Sequence, residues 1–410
     1  MVSEWKNAFL SEVAEITMGQ SPASSDCNEY GEGLPFYQGN AEFGYMYPIP
    51  KRYCVKPKKV AEAGDILISV RAPVGDVNIA QEMSAIGRGL SAIRPTNVEK
   101  MFLFYFLQHF KPKWATLQQG STFEAINKND LSNLEIPTPP LREQRKIAAI
   151  LSSVDEAIEK TEAIIEQTEK VKKGLMQQLL TKGIGHTKFK KTEIGEIPEA
   201  WAVEELSNLT LKIQDGNYGN DYPKENEFLS QGVPFLTSAA IGNTNSIDHK
   251  KVKYISFEKH ELLRKAHIKT KDILFTNRGA NVGAVAIVSE RYNNANIGPQ
   301  LTLIRSNPDR VHYVYLYYYF QTSYIKKEIR KHDSGSAMNF FSIGTTKKFK
   351  IVVPPLEEQL KISEVLQTID KKIIMEKRKL SELQDIKAGL MQVLLTGKVR
   401  VKVDNEVMSQ

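Results

Sequence analysis

About forty residues occur twice in this chain, and between the two copies nothing is inserted or deleted. The first copy opens Pro139-Pro140-Leu141-Arg142-Glu143-Gln144-Arg145-Lys146-Ile147 and closes Gly174-Leu175-Met176-Gln177-Gln178-Leu179-Leu180-Thr181. The second opens Pro354-Pro355-Leu356-Glu357-Glu358-Gln359-Leu360-Lys361-Ile362 and closes Gly389-Leu390-Met391-Gln392-Val393-Leu394-Leu395-Thr396. The offset is 215 at both ends, from 139 to 354 and from 181 to 396. A loop has no reason to keep its length so strictly. A helix does, because each added residue turns everything beyond it by about 100° and advances it by about 1.5 Å. Prolines precede each copy where a helix start tolerates them, Glu143 and Glu358 fall in the favourable first turn, and Gly183 and Gly397 follow as stops. Each copy therefore predicts a helix of about 40 residues, or roughly 60 Å.

Seats spaced four and three apart run Ile147, Leu151, Val154, Ile158, Thr161, Ile165, Thr168, Lys172, Leu175, Leu179, and again Ile362, Leu366, Ile369, Ile373, Glu376, Leu380, Leu383, Lys387, Leu390, Leu394. Fifteen of these twenty are apolar, which makes a sustained heptad seam. A long helix with a narrow apolar stripe needs a partner, and each copy is the other's best match. Connectivity then dictates an antiparallel pair. With ends aligned, Lys172 falls opposite Ile369, Lys387 opposite Val154 and Glu376 opposite Ile165, polar seats that weaken the seam and set its register. A second apolar set (Ile150, Ile164, Val171, Met176, Leu180, Val365, Ile374, Met375, Val393, Leu395) exceeds what one partner helix covers. It serves either packing against the adjacent globular parts or docking of another subunit.

The duplication reaches past the helices. Trp5, Leu10 and Ser11 recur as Trp201, Leu206 and Ser207; Gly33-Leu34-Pro35-Phe36 as Gly232-Val233-Pro234-Phe235; Asp65-Ile66-Leu67 with Arg71 and Gly75 as Asp272-Ile273-Leu274 with Arg278 and Gly283. Leu90 and Arg94 recur as Leu301 and Arg305, and Gly120-Ser121 as Gly335-Ser336. Across this stretch the offset drifts from 196 (5 to 201) to 215 (120 to 335), then stays constant through the helix. Loops that diverge on a preserved scaffold are expected where recognition differs. The fold class is α+β: two tandem α/β domains, each followed by a long helix, the helices forming an antiparallel coiled coil with pseudo-twofold symmetry. The expected divisions are 1–139, 140–182, 183–354, 355–397 and a tail, 398–410. Short strands are expected at Asp65 to Val70 and Asp272 to Thr276, and apolar helices at Val98–His109 and Val311–Gln321. The run Tyr313, Tyr315, Tyr317, Tyr318, Tyr319 could stack on bases, but its counterpart Phe102, Leu103, Phe104, Phe106, Leu107 reads as core, which favours packing.

Composition narrows the function. Of the net charge of +7, residues 182–355 carry 25 basic and 17 acidic side chains, residues 1–140 carry 13 and 15, and both helices are neutral. That balance suits a polyanionic partner for the second domain and leaves the first dependent on a local cluster, Lys51, Arg52, Lys56, Lys58 and Lys59. The start Met1-Val2-Ser3-Glu4-Trp5-Lys6 has no signal-peptide pattern, no apolar run is long enough for a membrane span, and Cys27 and Cys54 lack ligand or redox spacing. A cytoplasmic protein with free thiols is expected. No phosphate-binding G-x-x-x-x-G-K-[ST] loop occurs, Gly87-Arg88-Gly89 is only a fragment of a dinucleotide fingerprint, and Asn307-Pro308-Asp309 lacks the aromatic of an amino-methyltransferase motif. The seven histidines form no ligand pattern, so neither a metal site nor a catalytic residue is expected.

The tandem P-P-L-x-E-Q-x-x-I helices, each closing on G-L-M-Q-x-L-L-T, together with the entry Ile194-Gly195-Glu196-Ile197-Pro198 into the second domain, resemble the specificity subunit of Type I restriction–modification systems. The resemblance covers essentially the whole chain. It implies two target recognition domains that each read one half of a bipartite, asymmetric site on double-stranded DNA, with the helices as central and distal spacers. It implies two methyltransferase (modification) subunits and restriction/translocase subunits as partners. It places S-adenosylmethionine, ATP and Mg on those partners, with no cofactor in this chain. The competing reading is a structural coiled-coil spacer or adaptor without DNA specificity of its own.

For contacts to DNA the polar, glycine-rich loops at equivalent positions are the candidates: Gln20, Ser21, Gln38, Asn40, Arg71, Ser121 and Thr122 in the first domain, and Asn217, Tyr218, Thr237, Ser238, Asn277, Arg278 and Ser336 in the second. Arg suits guanine or phosphate and Asn or Gln suits adenine. Arg71 and Arg278 recur between copies that should read different sequences. They are therefore expected on phosphates or in the scaffold, for instance paired with Asp65 and Asp272.

Overall fold

The structure is a computed structural model describing residues 5–117, 125–242, 245–333 and 341–402. Compactness divides the chain through the middle of both long helices rather than at their ends, into Met1–Ile164 with Glu376–Gln410, and Ile165–Met375.

In the first unit a four-stranded antiparallel sheet runs in the order Ala14–Met18, Leu90–Pro95, Ile66–Ser69, Val77–Ile79. Ile66, Leu67 and Ile68 are fully buried, as a strand covered on both faces requires. Beside it lies a second sheet, in the order Cys27–Asn28, Tyr53–Cys54, Leu34–Tyr37, Ser84–Ile86, Val60–Ala61, containing one parallel pair, Phe36 with Ala85 and Tyr37 with Ile86. Cys27 and Cys54 are register partners there and remain free thiols. The second unit repeats the first sheet strand for strand: Thr210–Asp215, Leu301–Ser306, Ile273–Thr276, Val285–Ile287. Its parallel pair recurs as Phe235 with Asn296 and Leu236 with Ile297. The apolar helices are Lys100–Leu117 and Tyr313–Tyr319, and Tyr315, Tyr318 and Tyr319 are buried in the core, so the tyrosine run is packing.

Asp65 and Asp272 hold the sheets together through partners other than those expected. Arg94 on the adjoining strand donates from Nε and Nη2 to the two oxygens of Asp65 at 2.9 and 3.0 Å, and Arg305 does the same to Asp272 at 2.8 and 2.7 Å. Pairing of Leu90–Pro95 with Ile66–Ser69, and of Leu301–Ser306 with Ile273–Thr276, carries Arg94 and Arg305 to the aspartates in the place expected for Arg71 and Arg278.

The long helices span Leu141–Leu179 and Leu356–Leu394. The repeated Glu-Gln of their first turn has a structural task. Gln144 accepts from the Glu99 backbone at 2.8 Å and donates to Pro139 O at 2.8 Å; Gln359 accepts from the His312 backbone at 2.8 Å and donates to Pro354 O at 2.8 Å. Both glutamines are buried. Glu143 accepts from Trp5 Nε1 at 3.3 Å and from Arg400 at 2.8 and 2.7 Å, while Glu358 accepts from Trp201 Nε1 at 2.9 Å and the Ile184 backbone at 3.0 Å. The tail expected over 398–410 starts packed on the first unit, with Val401 against its core.

Within each unit the helix halves run antiparallel. In the first, Glu143 meets Arg400 and Asp155 meets Lys387; in the second, Lys172 meets Asp370 and Ile184 meets Glu358. Lys172 pairs with Asp370, the neighbour of the Ile369 seat that end alignment sets opposite it, and Lys387 pairs with Asp155, the neighbour of Val154. All twenty seam seats are buried or half-buried.

Candidate nucleic-acid interface

In each unit the same backbone frame gathers the candidate loops. The Gly19 N–H donates to Leu90 O at 2.9 Å and Gln20 N–H to Ile86 O at 3.0 Å, while Gly87 N–H donates to Tyr37 O at 2.8 Å and Val70 N–H to Gly89 O at 2.9 Å. Loops after four strands are thereby stitched into one surface. The second unit does likewise: Gly216 N–H to Leu301 O at 3.1 Å, Gly298 N–H to Leu236 O at 2.8 Å, Asn277 N–H to Gln300 O at 2.9 Å. The approach explains two glycines. A Cβ on Gly19 would lie 2.2 Å from Gly87 O, and one on Gly216 would lie 2.2 Å from Gly298 O, so no side chain fits at either place.

On this frame Gln20 is exposed, and Ser21 and Gln38 line one cleft of about 460 Å³, bonded to each other at 3.0 Å. Asn40 donates to Asp76 at 2.8 Å, and Arg71 is exposed beside its backbone bridge to Ala125. Tyr218 is 57 % exposed with Lys265 Nζ 4.0 Å over its ring, and Thr237 and Ser238 are half-buried. Asn217 is almost wholly shielded. Ser121, Thr122 and Ser336 lie outside the described residues.

Asn277 requires a correction. It is fully buried, and its amide donates to Asp215 at 3.1 Å, Thr302 Oγ1 at 3.0 Å and Pro299 O at 3.2 Å. It fastens two strands and cannot reach a base. Burial raises the Asp215 carboxyl above its usual value, opposed by the hydrogen bonds from Thr302 and Asn277. Arg278, half-buried, donates from Nε to Asn277 Oδ1 at 3.3 Å.

Two arginines join the first cleft, Arg52 from the expected basic cluster and Arg88, which was not among the expected DNA contacts. Arg88, exposed between Gly87 and Gly89, and Arg52, stacked 5.4 Å over the Phe36 ring, line the same cleft as Ser21 and Gln38. The recurrence of Gly87-x-x-Leu90 as Gly298-x-x-Leu301 was the signal that marks this loop. Among the described residues no group of three or more His, Cys, Asp or Glu side chains is arranged to hold a metal ion. Also among them, no helix is long and apolar enough to cross a membrane.

A family model described as the Type I restriction modification DNA specificity domain matches the chain twice, over residues 2–170 and 198–385. The chain belongs to the Type I DNA specificity family. It is 26 % identical to the Type I restriction enzyme MjaIX specificity subunit of Methanocaldococcus jannaschii, over 97 % of this chain and 94 % of that one. A putative MjaX specificity subunit of the same organism is 53 % identical, but over 41 % of this chain and 40 % of its own length. The fold is similar to the crystal structure of a Type I restriction–modification S subunit from M. genitalium, with TM-score 0.62, 18 % identity and 96 % of each chain covered. The family is one of specificity subunits, and its two matched segments each contain one of the loop frames described above.

The second apolar set of the helices divides by location. Leu180 and Leu395 are fully buried, and Ile150, Met176 and Val393 pack against the cores. Ile164, Val171, Val365, Ile374 and Met375 are exposed, Ile374 by 66 %.

Proposed function

We propose that this chain recognises a bipartite, asymmetric sequence on double-stranded DNA and directs methyltransferase and restriction/translocase subunits to it. The observation that carries this reading is the repeated loop frame furnished with different side chains: one backbone scaffold built twice, with Arg88, Gln38 and Ser21 on the first and Asn217, Tyr218 and Gln300 on the second. Equivalent scaffolds suit equivalent grooves, and unlike side chains suit unlike half-sites. Exposed Arg71 and half-buried Arg278 suit phosphate contacts by charge and by their place after equivalent strands. The constant length of the two helices suits a fixed unread gap between the half-sites. The exposed Val171, Val365, Ile374 and Met375 suit a docking surface for two modification subunits. S-adenosylmethionine, ATP and Mg belong, in this reading, to those partners, in the cytoplasm; this chain contributes DNA choice and no chemistry.

Co-expression with the cognate methyltransferase subunit, followed by genome-wide mapping of methylated bases, tests the proposal. A two-part motif with a constant gap is expected. Replacing residues 1–139 by another first domain should change one half of that motif only, and inserting one heptad in each helix should lengthen the gap alone. A continuous motif, or methylation without sequence preference, overturns it. A coiled-coil spacer without DNA specificity would also give no salt-dependent gel shift.

A further inference from the structure

We infer that Arg88 is a base-discriminating residue of the first unit and that its guanidinium reads the major-groove edge of a guanine. The inference rests on the DNA-reading function proposed above and names the base for one of its positions. Every backbone N–H from Gly87 to Leu90 is committed: to Tyr37 O at 2.8 Å, Ser21 Oγ at 3.2 Å, Gln38 O at 3.1 Å and Gly87 O at 3.0 Å. A Cβ on Gly89 would lie 2.5 Å from Gln38 O, so the turn closes on its neighbour with no room for a side chain there. Between the two glycines stands Arg88, exposed on the open cleft of about 460 Å³. Among the described residues no ion pair or side-chain hydrogen bond holds its guanidinium, not even one to Glu29, which lines the same cleft. A fixed backbone carrying a free, charged tip suits a ligand that arrives from solvent.

Comparison of the two units separates this arginine from the cations that serve the DNA backbone. Phosphates are alike at both half-sites, so residues that meet them recur, whereas residues that read unlike bases differ. Arg52 recurs in charge: pairing of Pro35 with Tyr53, and of Pro234 with Tyr254, sets Arg52 in the place of Lys253. Each lies over a ring, Arg52 5.4 Å from that of Phe36 and Lys253 4.2 Å from that of Phe228. Arg88 does not recur. Its turn reappears as Gly298-Pro299-Gln300-Leu301, with Gly298 N–H donating to Leu236 O at 2.8 Å, but Pro299 takes the seat of Arg88 and has no donor. The side chain then selects the base. A guanidinium presents N–H donors in a fixed fork and no acceptor. Guanine alone offers the complement, N7 beside O6. Adenine sets a donor next to N7, cytosine offers a donor, and thymine one acceptor beside a methyl.

The test uses the full chain co-expressed with its methyltransferase subunit, comparing methylation maps of the wild type, Arg88→Ala, Arg88→Gln and Arg88→Lys. The half-site of the first unit is the one that changes when residues 1–139 are exchanged. Arg88→Ala is expected to relax one G·C position there, with methylation at sites carrying other bases rising roughly tenfold relative to guanine sites. Arg88→Gln should move that position towards adenine, because an amide donates to N7 and accepts from N6. Arg88→Lys should keep guanine with weaker discrimination, and the other half and the gap stay unchanged in all three. A wild-type first half without a G·C pair overturns the inference, as does an unaltered motif in Arg88→Ala. Equal loss of methylation at every site, with the bases unchanged, would mark a phosphate contact and overturns it too. So does a melting temperature lowered in all three variants, which would make Arg88 part of the scaffold. If the wild type itself gives no two-part motif, the DNA-reading proposal fails; if it does and these variants leave it intact, only the guanine assignment fails.

Discussion

The first unit finishes its helix–domain junction with two phenols and the second with one. Asp155 accepts from Tyr45 at 2.8 Å and Tyr105 at 2.8 Å, and pairs with Lys387 at 2.7 Å. Burial and the neighbouring carboxylate raise both phenols far above their usual pKa, so they remain donors. Asp370 accepts from Tyr318 at 2.6 Å and pairs with Lys172 at 2.6 Å, and beside it stands a cleft of about 410 Å³ lined by Tyr317, His249 and Ile374. The pair side chains are 13 and 4 % exposed in the first unit, 22 and 26 % in the second. Tyr45 makes the difference; it comes from a loop bridged Phe43 to Pro48, whose counterpart, bridged Ile241 to Ile247, has no aromatic residue between. The helix side of the junction is kept, and the loop side is free to vary.

The largest expected effect attacks that contrast directly. Lys387→Met leaves Asp155 charged and enclosed, and should cost about 3–5 kcal/mol. Lys172→Met, at a wetter seat, should cost nearer the ~1 kcal/mol of exposed pairs. Urea denaturation measures both, and equal losses would show that burial does not distinguish the junctions. Next come Gly19→Ala and Gly216→Ala, each forcing a Cβ against a carbonyl, with about 1–3 kcal/mol lost and weakened DNA binding in both. A harmless substitution at either position would mean that the two loop frames are not equivalent. Smaller still, Arg71→Ala and Arg278→Ala should each lower affinity alike on cognate and unrelated DNA and reduce the slope of log affinity against log salt by roughly one. Loss of discrimination without a change in slope would place them on bases.

The smallest effect concerns acid. The Arg400 guanidinium holds Glu143 below the usual glutamate range. A depressed carboxyl contributes stability that is present above its unfolded value and is lost as pH falls through the folded one. Melting curves from neutral pH down through that window should show a steeper acid-side loss for the wild type than for Arg400→Ala. Parallel curves would mean that the ion pair adds nothing.

Much of this arrangement was legible in the chain, and the misses have physical causes. The constant offset dictated two equal helices because helical geometry punishes insertions. The strand core around Asp65-Ile66-Leu67 and Asp272-Ile273-Leu274 was visible as a recurrence. Arg94 and Arg305 recurred as clearly as Arg71 and Arg278, yet the wrong arginines were matched to the aspartates. Nearness in sequence is a poor guide across an antiparallel sheet, where pairing of Ile93 with Ile66 brings distant residues together. Asn277 looked like a loop reader because its type suits adenine; its burial depends on Asp215 and Thr302, which arrive from two other strands.

The first-turn glutamates have one more consequence. Glu358 ties together Ile184, His186 and Trp201, which lie on one continuous length of polypeptide. Glu143 ties together Trp5 and Arg400, nearly four hundred residues apart, with Gly397 close against the Trp5 ring. The same joint is made once with a covalent tether and once without. Where the tether exists, the strands to be joined are held at high local concentration and reclose quickly after opening; where it does not, each opening risks escape. Heat, proteases or a truncation after Gly397 should therefore find the Trp5 joint first, and a peptide linker fusing residue 402 to residue 5 should protect it.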